Sequence, residues 1–218
     1  MAGITNGILN WPTGVTLTVL QSYSHIGQAS SPYTPFADYT GCNLIIMMIT
    51  FSSLSSTTPP AMIDTNANTY TLVRFDWQGT APNILGTAIY YCYNPIVGSM
   101  AFKQPARSSI GILGISGSNS TPLNANSGST FSFVTLIEPG SITPSITGCI
   151  AVLVVENYVD PVAPSTPAGF TSLLSHGYQA NCLSVSMSYQ LNVSGPQNPV
   201  TVVVGAENFQ EVSFAILS

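Results

Sequence analysis

Apolar and polar residues alternate along most of the chain. Over 182–193, Leu183, Val185, Met187, Tyr189, Leu191 and Val193 interleave with Ser184, Ser186, Ser188, Gln190 and Asn192. A period of two sustained this long predicts an antiparallel strand with one dry and one wet face. Similar patterning predicts strands at 15–21, 43–52, 69–75, 86–93, 97–102, 109–115, 129–138, 148–157, 199–205 and 209–217. They are rich in Val, Ile, Thr, Tyr and Phe, with Gly, Pro, Asn and Ser between them. No segment sustains a period of 3.6, and one helical turn at 170–174 is the only departure from strand and loop. The Pro- and Ser-rich stretches 53–60 and 160–167 read as long loops at the ends of a sandwich, and no internal repeat is evident. The expected fold is all-β, an antiparallel two-sheet β-sandwich of jelly-roll or immunoglobulin-like type with little or no helix. Residues 15–218 form a single sandwich domain in this reading, and residues 1–14 an N-terminal arm or an edge strand.

Two segments break the alternation. Residues 44–49 and 149–155 are apolar on both faces. Either they are central strands covered on both sides, or their outer faces meet another subunit. The second alternative makes a homo-oligomer, a dimer or trimer, part of the expectation. Ile4, Ile8, Leu9 and Trp11 stand among Gly and Asn near the N-terminus and are the expected assembly contacts.

Composition narrows the function classes. Of 218 residues, 3 are Lys or Arg and 8 are Asp or Glu, so 5% are charged; about 25% is usual. Three cations cannot make the basic stripe that nucleic acid requires. Hydrophobic residues at 45% argue against disorder. The 28 serines and 22 threonines take the place of the missing charge. No apolar run approaches the roughly 18 residues of a membrane span, so no membrane partner is expected. Residues 1–7 carry neither a basic nor an apolar export region. A neutral, hydroxyl-rich exterior without an export signal fits a virion component assembled in the host cytoplasm.

Candidate chemistry is sparse. His25 and His176 lie in neither an H-E-x-x-H nor a G-x-S-x-G pattern. Asp38, Asp64, Asp76, Glu138, Glu156 and Asp160 read as solvated surface acids. The run Asp64-Thr65-Asn66-Ala67-Asn68-Thr69-Tyr70 opens like a calcium loop, but Thr69 and Phe75 occupy the positions that need Gly and Glu. A tight Asx turn is the better reading. Cys42, Cys92, Cys149 and Cys182 form no C-x-x-C and read as buried free thiols, with one or two disulfides as the alternative. Trp77 and Tyr91 are the candidate stacking platform for a glycan, against the ordinary reading of strand aromatics as core. No catalytic residue, metal site or cofactor is expected.

The order of several segments carries a resemblance. Thr16–Ser22 is followed by Gly41–Ile46, then by Asp64–Val73, Ala88–Tyr91 and Val154–Tyr158. Together they resemble a β-sandwich module of tailed-phage virion proteins that also occurs in some bacterial surface proteins. There the turn usually reads Asp-Ser-x-Gly-Asn-Thr-Tyr and a later strand ends in Glu-Tyr. Ala67 stands at the usual Gly, and Asn157 separates Glu156 from Tyr158. The resemblance spans about residues 15–160 and implies a sandwich with a structural or adhesive role. The expected function is a non-enzymatic virion structural protein, a capsid decoration (cement) protein that contacts the major capsid protein or other virion proteins. The alternative is a tail or fibre module that binds host glycans.

Overall fold

The computed structural model describes residues 16–26, 33–54, 57–80, 84–158, 160–178, 183–205 and 209–218. Ile4, Ile8, Leu9, Trp11 and Cys182 lie outside them. Ten principal strands carry the fold: β1 (Thr18–Ile26), β2 (Leu44–Leu54), β3 (Thr71–Gln78), β4 (Ile84–Tyr93), β5 (Ser108–Ser116), β6 (Leu123–Phe131), β7 (Cys149–Asn157), β8 (Thr171–His176), β9 (Ser184–Val193) and β10 (Gln210–Leu217). They form two five-stranded antiparallel sheets, ordered β1-β5-β2-β4-β3 and β6-β10-β7-β9-β8. One buried cluster holds Leu44, Ile46, Met48, Ile89, Leu113 and Ile115 of the first sheet. It also holds Ile150, Val152, Val154, Val185, Met187, Ala215 and Leu217 of the second. The all-β antiparallel class read from the alternation is the one the chain adopts, and the shared cluster is the core expected of a sandwich.

The two sheet orders are the same order, shifted by five strands. Each half of the chain builds its own sheet, and the correspondence extends to register. On the first edge, a bulge separates Val19 and Gln21 in β1 and another separates Leu123 and Ala125 in β6. On the far edge, β3 is bulged between Leu72 and Arg74, and β8 between Ser172 and Leu174. Thr71 pairs with Tyr91 as Thr171 pairs with Tyr189. Asn94 and Asn192 both adopt left-handed backbone, at φ 52° and 61°. Thr65 accepts from the Ala101 amide through Oγ1 and donates its own amide to the Ala101 carbonyl; Ser165 makes the same two bonds with Val202. These matches correct the reading that the chain has no internal repeat. It is a structural duplication.

The outer face of each sheet is also covered. Ile45, Met47 and Ile49 pack with Tyr39, Tyr90, Met100 and Phe102. Ala151, Leu153 and Val155 pack with Ile137, Val203 and Phe214. Short strand pairs lie over these faces, Ala37–Asp38 with Ser99–Met100 on one side and Leu136–Ile137 with Thr201–Val202 on the other. The doubly apolar segments 44–49 and 149–155 are therefore central strands buried by their own chain, and they carry no argument for a subunit contact.

Three local expectations are corrected. Residues 170–174 form no helical turn; Thr171–His176 is a strand whose bulge turns both Leu173 and Leu174 towards the core, which breaks the period of two. The segment 129–138 is two strands, because β6 begins at Leu123 and ends at Phe131. Ser184, Ser186 and Ser188 are buried, since the second sheet has covering on both faces and no wet side there.

Candidate functional site

At one end of the core, the inward positions turn from aliphatic to polar. Continuing the series Leu44, Ile46 and Met48 along β2 brings Thr50 inward, and Thr50 stands beside Thr87 on one neighbour and Ser109 on the other. Asp76 pairs with Thr87 at the sheet edge. On the second sheet, Glu156 continues Ile150, Val152 and Val154, and stands beside Val185 and Glu211. His176 pairs with Val185. All eight residues are buried. The two rows occupy equivalent places in the two halves, with Thr50 matching Glu156, Ser109 matching Glu211, and Asp76 matching His176.

Hydrogen bonds across the sheets tie the rows together. Ser213 Oγ donates to Asp76 Oδ2 at 2.7 Å and lies 2.9 Å from Thr87 Oγ1. Arg74 grips the same carboxylate through Nε, 2.9 Å from Oδ2, and donates through its terminal nitrogen to the Gly128 carbonyl. Gln78 Nε2 reaches the carbonyls of Phe131 and Gln210. At the other end of the row, Ser109 Oγ lies 3.0 Å from His176 Nε2. His176 Nδ1 faces the Gly177 carbonyl at 2.9 Å, which can only accept, so Nδ1 carries the proton and Ser109 donates to Nε2. Desolvation lowers the pKa of His176, partly offset by that carbonyl, and favours the neutral ring.

Glu211 is the most perturbed of these groups. Among the described residues neither of its carboxyl oxygens has a hydrogen-bond partner. Burial, with the charge of Asp76 nearby, pushes its pKa up to about 8. Its cross-strand neighbour is Glu156, also fully buried. Glu211 therefore keeps its proton at neutral pH. The row combines a neutral serine–histidine pair, an ion-paired aspartate and a protonated glutamate, all facing the core.

Most of the expected surface acids lie elsewhere. Asp38 and Glu138 are exposed as expected, but Asp64, Asp76, Glu156 and Asp160 are buried. Asp64 accepts from the amides of Asn66 and Asn68, from Asn68 Nδ2 and from the Tyr70 hydroxyl. Those four donors are the Asx turn read from the sequence, and Ala67 holds φ 59° within it. Asp160 accepts from the amides of Val162 and Gly205 and from Asn157 Nδ2. For Asp64, Asp76 and Asp160, hydrogen-bond donors or a cation replace the water that a surface acid would use.

Trp77 is 39% exposed on β3. It pairs with Gly86, on the face opposite Tyr91, which packs half-buried against the inter-sheet core. The two rings do not form one platform. Cys42, Cys92 and Cys149 are free and buried, and desolvation raises all three pKa values, that of Cys92 to about 11. Among the described residues no three of His, Cys, Asp and Glu are grouped to hold a metal ion. No helix among them is long and apolar enough to cross a membrane.

The polar row escaped sequence reasoning because its partners are remote; Asp76 and Ser213 are 137 positions apart. One signal was available. Glu156 ends an otherwise apolar strand and Glu211 begins another, and a lone acid in a doubly buried strand has no wet face to occupy. Comparison with protein-family models, curated proteins and solved structures finds no match to this chain.

Proposed function

We propose that the chain is a non-enzymatic structural protein that works by apolar association, and more narrowly a decoration (cement) protein of a phage head. One observation carries the first part. Leu136 pairs with Val202 in the outermost layer of the second half, and exposed Val200 and Val204 lie two positions to either side of Val202, with Thr201 and Val203 buried between them. These four are 53%, 50%, 40% and 67% exposed, and Phe133, three residues before Leu136, is 66% exposed. Outer strands ordinarily carry Lys or another charge at such positions to discourage association. An aliphatic ladder exposed around one short strand pair, on a chain with 5% charge, is a surface suited to a partner.

The capsid setting draws its support from the sequence: the nearly uncharged composition and the ordered motifs of the resemblance. In this reading Ile4, Ile8, Leu9 and Trp11 add further apolar contacts on a neighbouring subunit. The test is sedimentation velocity on the wild type and on the double variant Val202→Lys/Val204→Lys. The wild type should sediment as an oligomer and the variant as a monomer. A wild type that is monomeric at all concentrations refutes apolar self-association, and its absence from purified particles refutes the capsid role.

A further inference from the structure

Among the described residues, each half of the chain makes its own five-stranded sheet and lends no strand to the other. The halves meet through one apolar face apiece. They are joined covalently only by residues 117–122, between β5 and β6. That joint is pinned on both sides. Asn43 donates through Nδ2 to the Ser118 carbonyl at 2.7 Å and accepts the Ser118 amide on Oδ1 at 3.1 Å. Ser118 Oγ and the Asn119 amide both donate to the carbonyl oxygen of Ser218, at the end of the second half.

We propose that the inter-sheet face is an assembly surface as well as a core. Two copies open at the joint, and each half closes on the complementary half of the other copy, giving a reciprocally exchanged dimer. The inference is independent of any capsid role. The partner is a second copy because the surface is already shaped to one. A half opened alone exposes Leu44, Ile46, Met48, Ile89, Leu113 and Ile115. At about 1.5–3 kcal/mol each, that exposure prevents an open monomer from accumulating. Exchange restores every one of these contacts and gives up only the bonds that pin the joint.

The duplication raises a rival pairing, like half with like half, and the polar row selects against it. In a pair of first halves, Asp76 would face the place of Gly111, the equivalent of Ser213, and lose its hydroxyl donor. A pair of second halves would set Val185 against Ser213 and bring four buried glutamates into one layer. Each arrangement strands buried polar groups that the first-to-second pairing satisfies. Equivalent backbones make the halves mutually compatible, and unlike polar residues make them complementary.

A disulfide placed across the sheets reads the outcome. Thr87 and Ser213 have their oxygens 2.9 Å apart on opposite sheets. In Thr87→Cys/Ser213→Cys the bond forms within one chain if the monomer is closed and between chains if the halves are exchanged. The substitutions are introduced into the otherwise wild-type chain, into a chain lacking Asn119–Thr121, and into a chain carrying Asn43→Ala. Each is refolded from urea over a range of concentrations and oxidised only after refolding, when Cys42, Cys92 and Cys149 are buried. The bond between positions 87 and 213 is identified by peptide mass spectrometry on the monomer and dimer bands of non-reducing gels. The shortened joint should give mainly cross-linked dimer. Asn43→Ala should raise the dimer fraction about tenfold over the wild-type joint, the equilibrium effect of losing roughly one net hydrogen bond. If the shortened chain fails to fold, the Asn43→Ala chain decides. Purely internal disulfides at every concentration overturn the proposal. Oligomers seen by sedimentation but carrying only internal disulfides would overturn exchange and leave the outer aliphatic ladder as the assembly surface.

Discussion

Replacing Glu211 by Gln should make the protein insensitive to pH over a range where the wild type weakens. The folded protein holds the Glu211 proton to about pH 8, because the carboxyl is buried without a donor and lies near Asp76. The unfolded chain gives that proton up near pH 4.5. Between these values the folded state binds more protons than the unfolded state, so stability falls as pH rises. The contribution is fully present below about 4.5 and is lost as pH climbs through about 8. His176 acts in the opposite sense. Its folded pKa is lowered by desolvation, so it costs stability only as pH falls below its unfolded value of 6.5. The window pH 6.5 to 8 is therefore the one in which the Glu211 slope is read clear of His176.

Over that window the linkage amounts to about 2 kcal/mol, from 1.36 kcal/mol per pH unit. This is a large share of the 5–15 kcal/mol by which ordinary domains are stable. Urea unfolding at half-unit pH steps measures it directly. At a slope of roughly 1–3 kcal/mol per molar urea, the wild-type midpoint should drop by about 1 M. Glu211→Gln keeps the shape and removes the ionisation, so its midpoint should stay level and exceed that of the wild type at pH 8. A wild-type midpoint that rises across the window, or parallel profiles for the two proteins, would show that Glu211 does not hold its proton and that the buried row is misread.

Further predictions rest on neighbouring geometry. A methyl group at Gly128 would sit 2.0 Å from Asp76 Oδ2, so Gly128→Ala should displace the carboxylate from Arg74 and Ser213; thermal unfolding should show a loss of about 2–4 kcal/mol. Ala67 pays for a left-handed backbone that Gly adopts freely, and Ala67→Gly should raise stability by about 0.5 kcal/mol after the extra chain entropy of Gly is subtracted. Asp64→Ala removes the acceptor for four donors and should cost about 3 kcal/mol or more, read from the urea midpoint. Cys42, Cys92 and Cys149 should react with an alkylating thiol reagent no faster than the protein opens; rapid labelling of any of them by mass spectrometry would contradict their burial.

The sequence was most legible where burial is one-dimensional. Period-two alternation located eight of the ten principal strands and the last three residues of β6, because a strand's faces are written in every second residue. It failed at Thr171–His176, where a bulge places two leucines consecutively on the core. It failed again at Ser184, Ser186 and Ser188, where hydroxyl residues occupy a covered face and read as a wet one. The missing charge was informative in a different way from the one expected. Five of the eight acids are inside, and Asp64, Asp76 and Asp160 among them are held by specific donors, so the surface is poorer in charge than the composition implies.

The duplication was the least legible feature, and the reason is physical. Inter-sheet packing asks only for aliphatic volume at each inward site, so Leu44, Ile46 and Met48 could diverge from Ile150, Val152 and Val154 without altering the backbone. Residues persist in both halves mainly where the backbone constrains them. Thr-Gly-Cys precedes β2 and opens β7, with Gly41 and Gly148 at φ 86° and 82°, and Asn94 and Asn192 hold left-handed turns. At the polar row the halves differ at every matched position. Two identical halves would bring like groups together across the interface and could pair in any combination. Asp76 against Ser213, and His176 against Ser109, can be satisfied only when a first half meets a second. The buried polar row is costly to bury, and this selectivity is what it returns: it turns two interchangeable sheets into a specific pair.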